Sequence, residues 1–255
     1  MKIDLHTHGK LSKKVEFSLP YFMEMVKKAK ENGLDAFALT EHFNTKNFMD
    51  VYNTLDQEFP YVDHYYEIEG IKVFPGMEVD IQEVGHILII GAREDIFALR
   101  ETLEPFTEKG KFIPFESLLE AASKYNFLKI GAHPFRETTP LHHIKHSLLT
   151  QLNAFDLNGK DLFEQGIDEN SKKVFPFAAE IGIPVVAGSD THQNIQYGCI
   201  VNNFHNSCQT IDELKRSIME GRYEIEIAPD LKEKVREAKE LKKKLKKQLE
   251  MEKAL

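Results

Sequence analysis

The chain opens with MKIDLHTH, residues 1–8, and this segment indicates how the rest is organised. Its apolar start predicts a short strand over residues 1–5 that runs directly into His6 and His8. Side chains two positions apart on an extended segment point the same way, so both imidazoles can reach one metal ion. A His-x-His pair alone is a weak signal, and its weight depends on what the other strands carry.

Metal-binding side chains also border the other strand-like runs of the sequence. These runs cover residues 36–40, 72–77, 87–90, 129–132 and 184–188. The side chains that end or open them are Glu41, His42, Glu78, His86, His133, Asp190 and His192. Because the ends of successive barrel strands meet at one rim, we expect a single cluster. Imidazole and carboxylate together suit Zn, Mn or Fe.

Strand and helix patterns alternate along the chain. Helices are predicted over residues 18–31, 47–59, 96–106, 115–125, 171–181 and 212–220. Strands are predicted over residues 1–5, 34–40, 73–77, 86–91, 127–132, 155–158 and 184–187, with a polar turn at 80–85. Such alternation favours an α/β fold with a mainly parallel sheet. Ligands at several strand ends favour a closed barrel over an open sheet, and 255 residues is a usual barrel size.

Composition excludes several classes of protein. A net charge of −8 disfavours general binding to nucleic-acid backbone, so no stable duplex partner is expected. Cys199 and Cys208 match no zinc motif and are expected to be reduced thiols. No apolar run approaches the roughly 20 residues that span a membrane. The predicted first strand leaves no room for a signal peptide, so a cytoplasmic protein is expected.

Residues 230–255 differ from the rest of the chain. They hold ten Lys or Arg and six Asp or Glu, a net charge of +4. Their apolar positions are spaced as in an amphipathic helix with a narrow stripe: Leu231, Val235, Ala238, Leu241 or Lys242, Leu245 and Leu249. We therefore predict a metallohydrolase barrel over residues 1–229 and a charged helix over 230–255. This helix could pack on its own domain, pair with another subunit in a homo-oligomer, or contact nucleic acid.

The number of candidate ligands predicts more than one ion. Eight side chains are too many for one tetrahedral zinc: His6, His8, His42, Glu78, His86, His133, Asp190 and His192. Two or three ions that share Glu78, with Asp190 as a second candidate bridge, would use them all. Clustered divalent ions stabilise the attacking and leaving oxygens of a phosphoryl displacement and lower the pKa of a shared water. The site therefore predicts hydrolysis, with phosphate esters favoured.

The motifs together resemble those of the PHP (polymerase and histidinol phosphatase) superfamily. The matching segments are DLHTH at 4–8, ALTEH at 38–42, PGME at 75–78, His86 with its apolar strand, GAHP at 131–134 and GSDTH at 188–192. The resemblance covers residues 1 to about 230. It implies a distorted, TIM-like (β/α)7 barrel that holds two or three Mn, Fe or Zn ions at the carboxyl ends of its strands and hydrolyses phosphoesters.

The resemblance also implies a division of the ligands between the ions. His6, His8, Glu78, Asp190 and His192 would serve one or two ions, and His42, His86 and His133 would serve another. Two positions depart from the usual pattern. The second motif normally reads Thr-Asp-His, and here the longer Glu41 is expected to orient an imidazole rather than bind metal. The loop after the first motif lacks the usual His or Asp, so Glu16 could serve as a ligand there. Alternatively, Lys13 or Lys14 could replace a metal charge or bind a substrate phosphate.

Arg136 follows His133 in the sequence HPFR, residues 133–136. This arrangement resembles the small-molecule phosphoesterases of the superfamily and predicts that Arg136 binds a substrate phosphate; the alternative is a surface ion pair. His142, His143 and His146 lack carboxylates at ligand spacing and are expected to be loop residues, with substrate contact as the alternative.

The leading functional hypothesis is a phosphoesterase that uses a metal-activated hydroxide on a small phosphorylated substrate, with nucleotides or short oligonucleotides favoured. Histidinol-phosphate phosphatase is the alternative within the enzyme class. A non-catalytic, metal-stabilised PHP module is disfavoured because nearly every ligand position is filled. A C–N hydrolase of the amidohydrolase type is disfavoured because no lysine ends a predicted strand.

Overall fold

The computed structural model describes residues 1–252, apart from the side chains of residues 249, 250 and 252. The strands are β1 Lys2–Thr7, β2 Ala36–Leu39, β3 Tyr61–Val62, β4 Tyr65–Ile68, β5 Ile71–Ile81, β6 Gly85–Ile90, β7 Leu128–Gly131, β8 Ala154–Asn158, β9 Val185–Gly188, β10 Ile200–Phe204 and β11 Tyr223–Ile227. The helices are α1 Leu19–Glu31, α2 Phe48–Glu58, α3 Arg93–Thr102, α4 Phe115–Ala122, α5 His146–Leu149, α6 Gly159–Gln165, α7 Ile167–Ile181, α8 Ile211–Met219 and α9 Leu231–Glu252.

Seven strands wrap into a nearly closed barrel in the order β1-β2-β5-β6-β7-β8-β9. The last strand returns to the first just beyond their carboxyl ends. There Thr7 bridges Thr191 in parallel, and the backbone N–H of Asp190 donates to the carbonyl of His6 at 2.8 Å. The predicted distorted α/β barrel is therefore confirmed. Strand β10 adds to the other edge of β1 in antiparallel orientation, followed by β11.

The distortion of the barrel comes from β6. This strand pairs antiparallel with both β5 and β7, whereas the other barrel pairs run parallel. A tight turn after Ile81 reverses the chain into Gly85. Because β6 runs backwards, its first residues lie at the rim where the other strands end. His86, second in β6, is therefore brought to the same rim as Glu78 and His133.

Apolar side chains fill the barrel below that rim. Phe74, Leu88 and Ile130 belong to one buried cluster that includes Ile211 and Leu214 of α8. A larger cluster packs the outer face of the sheet against the surrounding helices, as the buried stripe Phe22, Met25, Val26 and Ala29 of α1 illustrates. Apolar side chains thus fill the interior of the barrel, and the polar side chains lie at the rim.

Helix α9 packs on the barrel through the first part of its predicted stripe. Leu231, Val235 and Ala238 are buried, and the helix contacts α6 and the short 3-10 helix Asn194–Gln196. The stripe also includes Leu249, whose side chain lies outside the described part of the chain, as do residues 253–255. No helix within residues 1–252 has the length and apolar character needed to cross a membrane.

Several elements have no counterpart among the sequence predictions. These are the hairpin β3–β4, strands β10 and β11, and helices α5 and α6, while α7 begins four residues before the predicted start. The two strands of the hairpin, β3 and β4, are short, with two and four residues. Strand β10 carries the polar pair Asn202 and Asn203, of which Asn202 is buried, and β11 alternates exposed glutamates with half-buried residues.

Candidate metal centre

The predicted ligands converge at the carboxyl-end rim of the barrel. Their donor atoms form three groups, two of which share His8, and each is compact enough to surround one ion: His6, His8 and Asp190; His8, His42 and His192; and Glu78, His86 and His133. All eight predicted side chains are therefore brought together. The division differs from the one the resemblance implies, because His42 lies with His8 and His192 rather than with His86 and His133.

The Nδ1 side of His6 is fixed by a carboxylate that the sequence patterns did not predict as part of the site. Nδ1 of His6 lies 2.8 Å from Oδ2 of Asp156 on β8, and both side chains are buried. A hydrogen bond at Nδ1 leaves Nε2 free to face the centre of the cluster. Asp156 lies within residues 155–158, where the sequence predicts only a short strand. The sequence feature that could have predicted this role is a single carboxylate within a predicted buried strand.

His192 and His8 are also fixed by their surroundings. Nδ1 of His192 donates to the carbonyl of Lys10 at 2.9 Å, and the ring stacks on that of His8 with 4.1 Å between centroids. Glu41 is fully buried and accepts backbone hydrogen bonds from Lys10 and His42. Its carboxylate lies 3.8 Å from Nδ1 of His8, where it can orient that imidazole as the sequence suggested.

Glu78 lies at the centre of the cluster, between two groups of imidazoles. Its Oε1 is 2.6 Å from Nδ1 of His86 and 3.3 Å from Nε2 of His133, while its Oε2 is 2.7 Å from Nδ1 of His42. One carboxylate with imidazoles on both oxygens is suited to serve two ions. Asp80, two residues further along β5, lies 3.0 Å from Nε2 of His86 and can orient that ring. Its position on the same face of the strand as Glu78 was the missed signal.

Burial and neighbouring carboxylates shift the pKa values of the imidazoles in opposite directions. Burial lowers the pKa of His42 to about 4 and holds those of His133 and His192 well below their usual range. Burial would also lower the pKa of His86, but Glu78 and Asp80 raise it to about 9. Because imidazole binds metals in its neutral form, loading the site at neutral pH would release protons from the charged members.

Unsatisfied buried atoms test whether these residues fit metal ions. Within the described residues, six buried side-chain atoms at the cluster make no hydrogen bond of acceptable geometry: Nε2 of His6, both ring nitrogens of His8, Nδ1 of His42, Oε2 of Glu78 and Oδ2 of Asp190. Three of these six lie in close ion-pair contacts, Nδ1 of His42 against Oε2 of Glu78 and Oδ2 of Asp190 against Arg136, and the other three, on the rings of His6 and His8, have no such close contact. Orphaned polar atoms are costly in a protein interior and are rare without a reason. Neutral imidazoles and carboxylates are also the donors that Zn, Mn and Fe accept, so the residues fit divalent ions.

Two of the donors sit on unusual backbone. His133 has a φ of 34° and Asp190 a φ of 56°, in the left-handed region that non-glycine residues seldom adopt. Both residues lie two positions beyond the end of a barrel strand, where the chain turns sharply and the side chain still faces the cluster. Backbone strain of this kind concentrates at functional sites and persists only when the surroundings hold it.

The charged residues of the loop that follows the first motif differ in whether they reach the donor cluster. Glu16 binds Lys46 and Asn47 at the surface, with a side chain 52% exposed, and lies outside the three donor groups. Lys14 is exposed. Lys13 instead reaches the rim, where its ammonium lies 2.8 Å from Oδ2 of Asp80. Of the three candidates, only Lys13 therefore contacts a residue that touches a predicted ligand.

Arg136 lies beside the cluster with most of its guanidinium engaged. Nε and Nη2 donate to Asp161 at 3.1 and 3.0 Å, Nη2 donates to Asn158 at 3.0 Å, and Nη2 lies 2.8 Å from Oδ2 of Asp190. The side chain is only 12% exposed, unlike a surface ion pair. Arg136 thus holds Asp190 in place, and its Nη1 makes no hydrogen bond to the described residues.

The second histidine group belongs to a loop. His142 stacks on Phe135 and bonds the carbonyl of Pro134, while His143 bonds the carbonyl of Glu83. His146 starts α5 and lies 3.7 Å from exposed Glu180. These contacts fix the loop that carries Arg136, and the three imidazoles do not converge on a donor group.

Comparisons with known proteins agree with this geometry. The PHP domain family model matches residues 4–230. A probable phosphatase of Acetivibrio thermocellus is 23% identical over 218 residues, which cover 77% of this chain and 81% of that protein. The crystal structure of PsfC from Pseudomonas syringae PB-5123 superposes with a TM-score of 0.79 at 20% identity, over 96% of this chain and 98% of the other.

A more distant structural neighbour is larger. The lesion-specific endonuclease Q of Pyrococcus furiosus superposes with a TM-score of 0.65 at 21% identity, over 88% of this chain and 57% of the endonuclease. Another endonuclease Q structure holds a 27-mer duplex with an abasic lesion at its active site. At these identities the superpositions show the fold alone. The match of the family model over most of its length shows that the chain belongs to the PHP domain family, and its predicted class, a hydrolase of phosphoester bonds, is confirmed.

Proposed function

We propose that this protein hydrolyses a phosphate ester of a small molecule, with nucleotides or short oligonucleotides as the favoured substrates. The observation that carries the proposal is the convergence of eight imidazole and carboxylate side chains, several of them with unsatisfied donor atoms, beside a buried arginine. The preference for nucleotides rests on the motif resemblance of residues 133–136 and on the close spacing of Glu78 and His86.

Each part of the cluster has a distinct task in such a reaction. Two or three bound Mn, Fe or Zn ions would lower the pKa of a water molecule and neutralise charge on the phosphoryl oxygens. Glu78 and Asp190 hold the imidazole groups together, since each carboxylate lies against more than one ring. Arg136 fixes Asp190 through Nη2 and keeps Nη1 for a phosphate oxygen, which a guanidinium binds well.

Burial of the site serves the same chemistry. His6, His8 and Glu41 are fully buried, and His133 nearly so. Hydrogen bonds and ion pairs are stronger where water is excluded. The buried residues that orient the donors therefore also strengthen the electrostatic stabilisation of a phosphoryl group. Access remains on the side of His42 and His86, whose side chains are each 13% exposed.

Two other substrates stay open as alternatives. Histidinol phosphate would need a pocket for an imidazole-bearing amino alcohol, and duplex DNA is the substrate in the endonuclease Q complex. The net charge of −8 favours a small substrate over a duplex. The identity of the metals, the cytoplasmic location and a homo-oligomer through α9 stay predictions.

The test combines metal analysis with a substrate screen. The full-length protein is loaded with Mn, its bound metal is counted, and phosphate release is measured on nucleotides, short oligonucleotides, histidinol phosphate and duplex DNA. We expect at least two ions per chain and turnover of a nucleotide-type ester, abolished in His8→Ala and Asp190→Ala variants that remain folded. Bound metal without turnover on any phosphoester would contradict the proposal, as would full activity in either variant.

A further inference from the structure

Helix α9 crosses the rim next to the metal donors. Its first turns pack on the 3-10 helix that follows His192 and on α6. Further along, Leu245 and Gln248 line a pocket with Gly9, Leu11 and other residues of the loop that follows His8. The helix therefore extends from one ligand-bearing loop to another, and it covers the side of the site where His8 and His192 lie.

Two lysines, one on α6 and one on α9 itself, line the same cavity. A small cavity between α9 and the donors is lined by Asp190, His192, Lys160 of α6 and Lys242 of α9. Neighbouring Lys239 is neutralised by Glu164 at 2.8 Å. By contrast, Lys242 has no carboxylate within 4 Å among the residues that the structure describes, although it is partly buried.

Asp190 separates these cations from the imidazoles. Its Oδ1 faces the rings, 3.3 Å from Nε2 of His8, while its Oδ2 faces Arg136 at 2.8 Å and Lys160 at 3.8 Å. Asp161 already balances the charge of Arg136. Two ammonium groups thus remain beside a metal-binding carboxylate with too few anions to match them. A cavity with surplus positive charge next to divalent ions is a binding place for an anion.

We infer that Lys160 and Lys242 bind the phosphate group of the substrate and that α9 thereby restricts the enzyme to terminal phosphate monoesters. The inference rests on the proposed function. A phosphate bound in this cavity, against the two lysines and next to Asp190 and His192, has α9 on one side. Its single ester substituent leaves through the open side, at His42 and His86. The second substituent of an internal diester would run into the helix, so diesters are poor substrates.

The binding test uses inorganic phosphate as the probe and does not depend on turnover. Calorimetry compares the Mn-loaded full-length protein with Lys160→Ala, Lys242→Ala and Lys242→Arg. Lys244→Ala is the control, because Lys244 is an exposed lysine two residues further along the same helix. Loss of a charge-assisted hydrogen bond is expected to weaken phosphate binding about tenfold or more in the two alanine variants. The control and Lys242→Arg are expected to stay near the wild type.

A kinetic test addresses the restriction to monoesters. Wild type and variants are compared on p-nitrophenyl phosphate and bis(p-nitrophenyl) phosphate, and Lys242→Ala is expected to raise KM for the monoester more than it lowers kcat. Unchanged phosphate affinity in both alanine variants, or no phosphate binding by the wild type, would overturn the lysine site. Equal turnover of monoester and diester would overturn the restriction. Phosphate binding that depends on both lysines, without hydrolysis of any ester, would instead refute the proposed function.

Discussion

Oδ2 of Asp156 lies 2.8 Å from Nδ1 of His6, and the two residues are 150 positions apart in the chain. The amide of Asn158 donates to the same oxygen at 2.8 Å and accepts from Arg136 at 3.0 Å. A chain of hydrogen bonds therefore links the arginine proposed to bind phosphate with the first imidazole of the metal cluster. Carboxylates of this kind fix the tautomer and the direction of a ligating ring.

Replacing Asp156 with asparagine is expected to weaken metal binding about 10- to 100-fold, because the amide removes the charge that holds His6. Competition with a chelator of known affinity measures the effect. Asp168→Asn on the exposed face of α7 is the control and is expected to bind metal like the wild type. Equal affinities in the two variants would show that Asp156 has no part in the site.

Gly188→Ala is expected to disrupt the contact between His6 and Asp156, because Gly188 packs against both residues. A Cβ at this position would lie 2.4 Å from Cβ of His6 and 2.6 Å from Oδ1 of Asp156, closer than atoms can approach. Neither neighbour can swing away, so β1 and β9 must separate. We expect a loss of about 1–3 kcal/mol in the free energy of unfolding, measured in urea.

The same variant has a second expected effect. Because metal stabilises only the folded state, the rise in Tm on adding Mn is expected to shrink in Gly188→Ala. A wild-type stability together with a wild-type rise in Tm would mean that the strands tolerate the methyl group.

Arg136→Ala is expected to damage both stability and substrate binding. The change leaves the buried carboxylates of Asp161 and Asp190 without their partner, and breaking such pairs costs about 3–5 kcal/mol. KM for phosphorylated substrates is expected to rise. Arg136→Lys keeps the charge but loses the planar fork, so it is expected to recover part of the stability and little of the KM. Unchanged stability and KM in both variants would assign Arg136 to the surface.

Glu16→Ala is expected to leave the number of bound ions unchanged. The Glu16 carboxylate is exposed and engaged by Lys46 and Asn47, away from the donor groups. Elemental analysis of the Mn-loaded variant provides the measurement, with His42→Ala as a variant expected to lose metal. A loss of one ion per chain in Glu16→Ala would show that the loop moves to the cluster when metal binds.

Local sequence patterns were sufficient to predict the alternation of strands and helices, the barrel and the eight candidate donors, whose binding of metal stays a prediction. The reason is that strand periodicity and chain reversal are local: His6 and His8 point the same way because they are two apart on a strand. Glu78 and His86 meet because a short turn joins their strands. The family followed from the same motifs.

The grouping of the candidate donors and the residues that support them could not be predicted without the folded structure. His42 joins His8 and His192 because closure of the barrel between β1 and β9 sets the distances between loops far apart in sequence. Asp156, Asp80 and Asn158 act through contacts that depend on this closure and on the register of neighbouring strands. The sequence places Lys242 only as an alternative to Leu241 in the narrow apolar stripe, and it shares a cavity with Asp190 only because α9 folds back over the rim. Such long-range contacts depend on packing geometry, which local residue patterns do not encode.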